Sequence, residues 1–112
     1  MQPAPVVTSL LDPLTDITRA RLRSGIRQHI ARGDLLHIID LSSVEQLDSP
    51  TLAELIRARR NLAEVGGMVA LVAAQPSILR LLTVAGLDRI FTVFASRSEA
   101  LAALSSTDLI PA

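Results

Sequence analysis

Apolar positions along the chain fall into two kinds of run that alternate. Residues 6–11 (VVTSLL), 35–41 (LLHIIDL), 68–74 (MVALVAA) and 90–94 (IFTVF) are short and almost unbroken, which is the pattern of strands, the second and third buried on both faces. The first run stops at Asp12-Pro13, the second at Ser42-Ser43 and the third at Gln75-Pro76, and a proline cannot continue a ladder. Between these runs the period lengthens. After Asp16, read as an N-cap, Leu22, Ile26 and Ile30 recur every fourth residue beside a row of Arg19, Arg23 and Arg27, which predicts an amphipathic helix ending near Gly33. Leu52, Leu55, Ile56, Leu62 and Ala63 again follow helical spacing and leave Glu54, Arg57, Arg60 and Glu64 for solvent, until Gly66-Gly67 stops the helix. Pro76 opens a short helix through Ile78, Leu79, Leu81 and Leu82 that closes at Gly86. Ser96 and Glu99 form a capping box ahead of a last helix reaching Leu104. Strand and helix therefore alternate four times, which predicts an α/β domain with a mostly parallel sheet and crossover helices.

Composition narrows the picture. With 112 residues, 49% of them hydrophobic and only 2% aromatic, residues 1–112 make one domain with an aliphatic core. Eleven basic residues balance eleven acidic ones, which removes the positive field that binding to nucleic acid draws on. Cysteine is absent, so disulfides, thiolate nucleophiles and cysteine-based metal sites are excluded. The start, MQPAP, has no basic region, and no apolar run approaches the roughly 18 residues of a spanning helix. The expectation is a cytoplasmic protein not embedded in a membrane, with loose ends at residues 1–5 and 105–112.

No catalytic constellation stands out along the chain. His29 and His37 lack neighbouring ligands at workable spacing, so no metal is expected. Gly66-Gly67 precedes a strand, whereas phosphate-cradling glycines follow one and open a helix. Arg19, Arg21, Arg23, Arg27 and Arg32 read as a solvated helix face, with an acidic protein partner as the alternative. Neither a cofactor nor an enzymatic activity is expected.

The informative stretch is residues 40–52 (DLSSVEQLDSPTL), joining the most buried strand to the clearest amphipathic helix. Loops at the carboxyl ends of parallel strands are where open α/β sheets carry their functional groups. Ser49 is read as the N-cap of that helix and Pro50 as its first residue, which gives the serine a structural role. A phosphoryl group on Ser49 would bring about −1.5 to −2 charges to a helix N-terminus, which the dipole tolerates. A protein packed against the loop would instead have to desolvate that dianion beside the Asp48 carboxylate. Such a serine switches binding and leaves folding alone.

Three blocks resemble one family. Residues 38–49 (IIDLSSVEQLDS), 66–72 (GGMVALV) and 82–91 (LTVAGLDRIF) follow one another in the order and spacing of the STAS domain, the family of bacterial anti-sigma factor antagonists and of the cytoplasmic domains of sulfate transporters. The likeness is strongest over residues 35–104. It implies a mostly parallel, mixed sheet of four or five strands with about four helices, and a phosphorylatable Ser or Thr directly after the Asp at the start of the second helix, here Ser49 after Asp48, with Thr51 the lesser candidate. In the regulatory branch the unphosphorylated antagonist binds an anti-sigma factor that is also a serine kinase, and phosphorylation ends the binding. The resemblance thus implies a partner surface of Asp48, Ser49, Pro50, Thr51, Glu54 and Arg57. It equally admits a non-phosphorylated scaffold or accessory subunit of a transporter or a stress-sensing complex. Two features depart from the family pattern. Pro50-Thr51 stands where Ser or Thr and then Gly are usual, stiffening the loop. Only one strand fits before the first helix, where the family has a hairpin, so a first strand is expected to be missing or replaced by a partner and the exposed sheet edge to invite a homodimer.

Overall fold

Four strands lie side by side in chain order. They are β1 (Val6–Ser9), β2 (Leu36–Asp40), β3 (Met68–Val72) and β4 (Thr92–Phe94), and every neighbouring pair is parallel. The helices are α1 (Asp16–Ala31), α2 (Ser49–Glu64), α3 (Pro76–Val84) and α4 (Arg97–Leu104), with one 3-10 turn at Leu87–Arg89. The computed structural model describes residues 4–105.

Crossovers between parallel strands are right-handed, so when strand order never reverses each connecting helix falls on the same face. The packing shows this. Leu22 and Ile26 of α1, Leu55 and Leu62 of α2, and Ile78 and Leu82 of α3 share one cluster with Ile39, Leu41, Val69 and Leu71. The alternate residues of the same strands, Ile38, Ala70 and Val72, meet Ala100 and Leu104 of α4 on the opposite face, as the period of two requires. The core is aliphatic apart from Phe91 on the first face and a half-buried Phe94 on the second.

Two details differ from the sequence reading. Thr15, not Asp16, caps α1, its hydroxyl accepting from the Thr18 N–H at 3.2 Å. The last strand starts at Thr92, because Gly86, at φ 74°, ends α3 and the chain then makes the 3-10 turn, with the Phe91 N–H bonded to the Leu87 carbonyl at 2.9 Å. The four described strands are all parallel, in keeping with the mostly parallel sheet of four or five strands that was expected. No strand precedes β1 among the described residues, and its outer edge is unpaired there. Residues 1–3 and 106–112, most of the ends expected to be loose, lie outside the described residues. Gly66-Gly67 earns its place sterically: a Cβ on Gly67 would stand 2.5 Å from the Leu35 carbonyl oxygen, so the tight entry into β3 needs glycine.

Candidate functional site

The loop between β2 and α2 is held from several sides. Leu41 and Val44 are fully buried, while Ser42, Ser43, Glu45 and Gln46 face outward. At the end of β2 the Asp40 carboxylate accepts from the Ser42 N–H at 2.9 Å and from its hydroxyl, and on its other oxygen from Arg97 Nε and Nη2 at 3.0 and 2.8 Å. Burial pushes the Asp40 carboxyl up, but the Ser42 and Arg97 hydrogen bonds outweigh it and hold the group below the usual carboxylate range. Arg97 also donates to Ser9 Oγ at 2.6 Å, tying α4 to β1 across β2. From the loop after β1, Asp12 accepts from the Glu45 N–H at 3.1 Å.

At the start of α2 the cap is Asp48, and this corrects the sequence reading, which gave that place to Ser49. Asp48 has extended backbone angles and its Oδ1 accepts from the Thr51 N–H at 2.9 Å. A carboxylate brings a full charge to the positive end of the helix dipole, and Ser49 and Pro50 become the first two helical residues. Thr51, through its side chain and then its N–H, and the Arg19 charge keep the Asp48 carboxyl below its ordinary value despite some burial. Arg19 Nη1 lies 3.2 Å from Asp48 Oδ2 and 3.4 Å from Thr51 Oγ1, and its Nη2 lies 2.5 Å from Asp16 Oδ1.

The expected site residues therefore separate. Asp48, Ser49, Pro50 and Arg57 are exposed, whereas Thr51 and Glu54 are buried, at 0% and 5% exposure. At about 100° per residue Ser49 and Thr51 point about 200° apart around the helix, so only one of them can face α1. Thr51 does, beneath Arg19, which removes its hydroxyl from the surface. Glu54, expected in solvent, lies between α1 and α2, bonded by Arg23 and, at 2.5 Å, by Arg57. Its hydrogen bond and charge raise the Arg23 pKa. The Ser49 hydroxyl has no hydrogen-bond partner among the described residues. A cleft of about 540 Å³, lined by Asp12, Leu14, Glu45, Leu47 and Asp48, reaches as far as the residue before Ser49.

Sequence reasoning missed Arg19 and Gln75. Arg19 was assigned to the solvated face, yet its side chain is only 14% exposed. Gln75 was read as a strand breaker, yet it reaches back to the Ser49 loop. The partners that Arg19 and Gln75 find in this loop and at the start of α2 lie 29 to 34 residues away along the chain and leave no periodic signature in the sequence. At the other end of the sheet, His37 Nε2 lies 2.8 Å from the Asp34 carbonyl oxygen and His29 Nδ1 lies 3.0 Å from Asp34 Oδ2. Burial lowers the His37 pKa. Among the described residues no cluster of three or more His, Cys, Asp or Glu side chains is arranged to hold a metal, and no helix is long and apolar enough to cross a membrane.

The STAS domain model matches residues 2–100. The chain belongs to the STAS domain family. A Thermotoga neapolitana protein, named as a candidate anti-sigma factor antagonist, is 36% identical over 64 residues, 57% of each chain, so the chain spans little more than half the length of the curated relatives it matches. Among solved structures, an anti-sigma factor antagonist from Mycobacterium paratuberculosis superposes with a TM-score of 0.79 at 26% identity, covering 95% of this chain and 90% of that one. The Bacillus cell fate determinant SpoIIAA in its phosphorylated form superposes with a TM-score of 0.74 at 21% identity, covering 92% and 93%, a likeness of fold.

Proposed function

We propose that this chain is an anti-sigma factor antagonist that binds an anti-sigma factor with serine kinase activity and is released when Ser49 is phosphorylated. The observation that carries the reading is the placement of Ser49: exposed, its hydroxyl unengaged, on a helix whose cap is supplied by the residue before it. Modification there costs the helix no cap. It adds a dianion next to Asp48 on a surface that a partner would have to desolvate. Asp48, Ser49, Pro50 and Arg57 form that surface, while Thr51 and Glu54 act from beneath it. The relatives named as anti-sigma factor antagonists support the same reading.

The test is to mix the purified chain with the anti-sigma factor kinases of its source genome. Wild type forms a complex, Ser49→Asp weakens it roughly tenfold or more, about 1.4 kcal/mol, and phosphate appears on Ser49 alone. Equal affinity of wild type and Ser49→Asp overturns the switch. Pro50, which stiffens the position after the serine, favours a second reading in which the chain is a non-phosphorylated scaffold or accessory subunit. Under that reading the kinases leave Ser49 unmodified, and the chain co-purifies with other STAS proteins or a membrane ATPase. Self-association through the outer edge of β1 is read by light scattering, where a monomer at every concentration removes it.

A further inference from the structure

Gln75 sits at the N-cap of α3, yet its side chain makes no hydrogen bond to that helix. The caps of α1, α2 and α4, Thr15, Asp48 and Ser96, each bond their own first turn. The Gln75 carboxamide turns instead to the neighbouring loop. Its Nε2 lies 2.8, 3.0 and 2.7 Å from the carbonyl oxygens of Leu41, Ser42 and Val44. Its Oε1 accepts from the Ala74 N–H at 3.0 Å. These partners fix the amide's orientation, since exchanging oxygen and nitrogen would set an oxygen against three carbonyls and an NH₂ against an N–H. The three carbonyls belong to one turn, closed by the Val44 N–H on the Leu41 carbonyl at 3.0 Å, and that turn decides where the chain leaves toward Ser49. The helix goes without a side-chain cap, and the donor serves the neighbouring loop.

We propose that Gln75 is the positioning residue of the Ser49 loop. Working from the loop after β3, it holds residues 41–44 in the turn that presents residues 45–49 as a preformed surface, a preorganisation that lowers the ordering cost of binding. The functional half of this inference rests on the reading of Ser49 as partner-facing. The competing explanation is that Gln75 fills space. Gln75→Glu separates the two, because it keeps shape and volume and replaces the donor with an acceptor facing three carbonyl oxygens.

The experiment is native-state hydrogen exchange on the purified wild-type chain, Gln75→Glu and Gln75→Ala, together with complex formation and phosphorylation by the same anti-sigma factor kinases. In both variants the Val44 and Glu45 amides exchange about tenfold faster, while protection in β2 and in the middle of α2 is unchanged. Complex formation weakens by a similar factor. Unchanged Val44 and Glu45 exchange in Gln75→Glu overturns the proposal, as does a loosened loop that still binds like wild type. Protection lost throughout β2 and α2 also overturns it, because the residue would then hold the fold and not the loop. If the wild-type chain binds no anti-sigma factor, the functional reading of Ser49 fails, and the exchange comparison alone decides the role of Gln75.

Discussion

Two helices start at the same end of the sheet, each following a parallel strand, and each has a serine in its first residues. At α4 the serine is the cap: Ser96 Oγ accepts from the Glu99 N–H at 3.2 Å, and the next residue, Arg97, folds back onto Asp40 and Ser9. At α2 the cap is an aspartate, its arginine comes from another helix, and the serine is left facing out. A shift of one position along the chain thus separates a serine consumed by structure from one available to chemistry. The two arginines differ likewise. Arg97 fastens a helix to the sheet, whereas Arg19 fastens a cap and thereby frees its neighbour.

Substitutions test this contrast, beginning where the loss is greatest. Asp40→Ala removes the acceptor for Ser42 and Arg97 at the end of β2, and should cost about 2–3 kcal/mol in urea unfolding; a loss under about 1 kcal/mol would mean that α4 is held by its apolar face alone. Acid reaches the same groups. Asp40 and Asp48 both have folded-state pKa values below the ordinary 3.8, so the unfolded chain takes up their protons first. Their stabilisation is complete above about pH 4 and fades as pH falls through the folded values. The urea midpoint should therefore drop on acidification below about pH 4, and less steeply in Asp40→Ala. Removing either cap, Asp48→Ala or Ser96→Ala, should cost about 1 kcal/mol, with Asp48→Ala the larger because Arg19 loses a partner as well. The smallest effect is the most telling one: Ser49→Ala should lie within about 0.5 kcal/mol of wild type. Equal losses for Ser49→Ala and Ser96→Ala would erase the distinction between the two helix starts.

Most of the architecture was readable beforehand because it is written in local periods. Near-continuous apolar runs marked the strands, and apolar residues at helical spacing marked the helices. β4 was placed two residues early because Ile90 and Phe91 are as apolar as a strand, although one is 39% exposed and the other packs into the core from the end of a 3-10 turn. The Ser49 turn was found from its position after the central strand, but its cap was assigned one residue late. Ser and Asp cap with similar preference, and sequence alone does not choose between neighbours.

By itself, then, the amino-acid order determined the alternation of strand and helix, the aliphatic core and the turn where a serine meets a helix start. These follow from interactions within a few residues and from the partition of side chains between water and core. Tertiary structure decided which way the polar groups face. Glu54 is buried because Arg23, 31 residues away, reaches it from α1, and Gln75 serves a carbonyl 34 residues behind it because β2 and β3 are neighbours. Charge pairing and hydrogen bonding carry no period along the chain, so the partners of an arginine or a glutamine exist only once the sheet has brought distant loops to one edge.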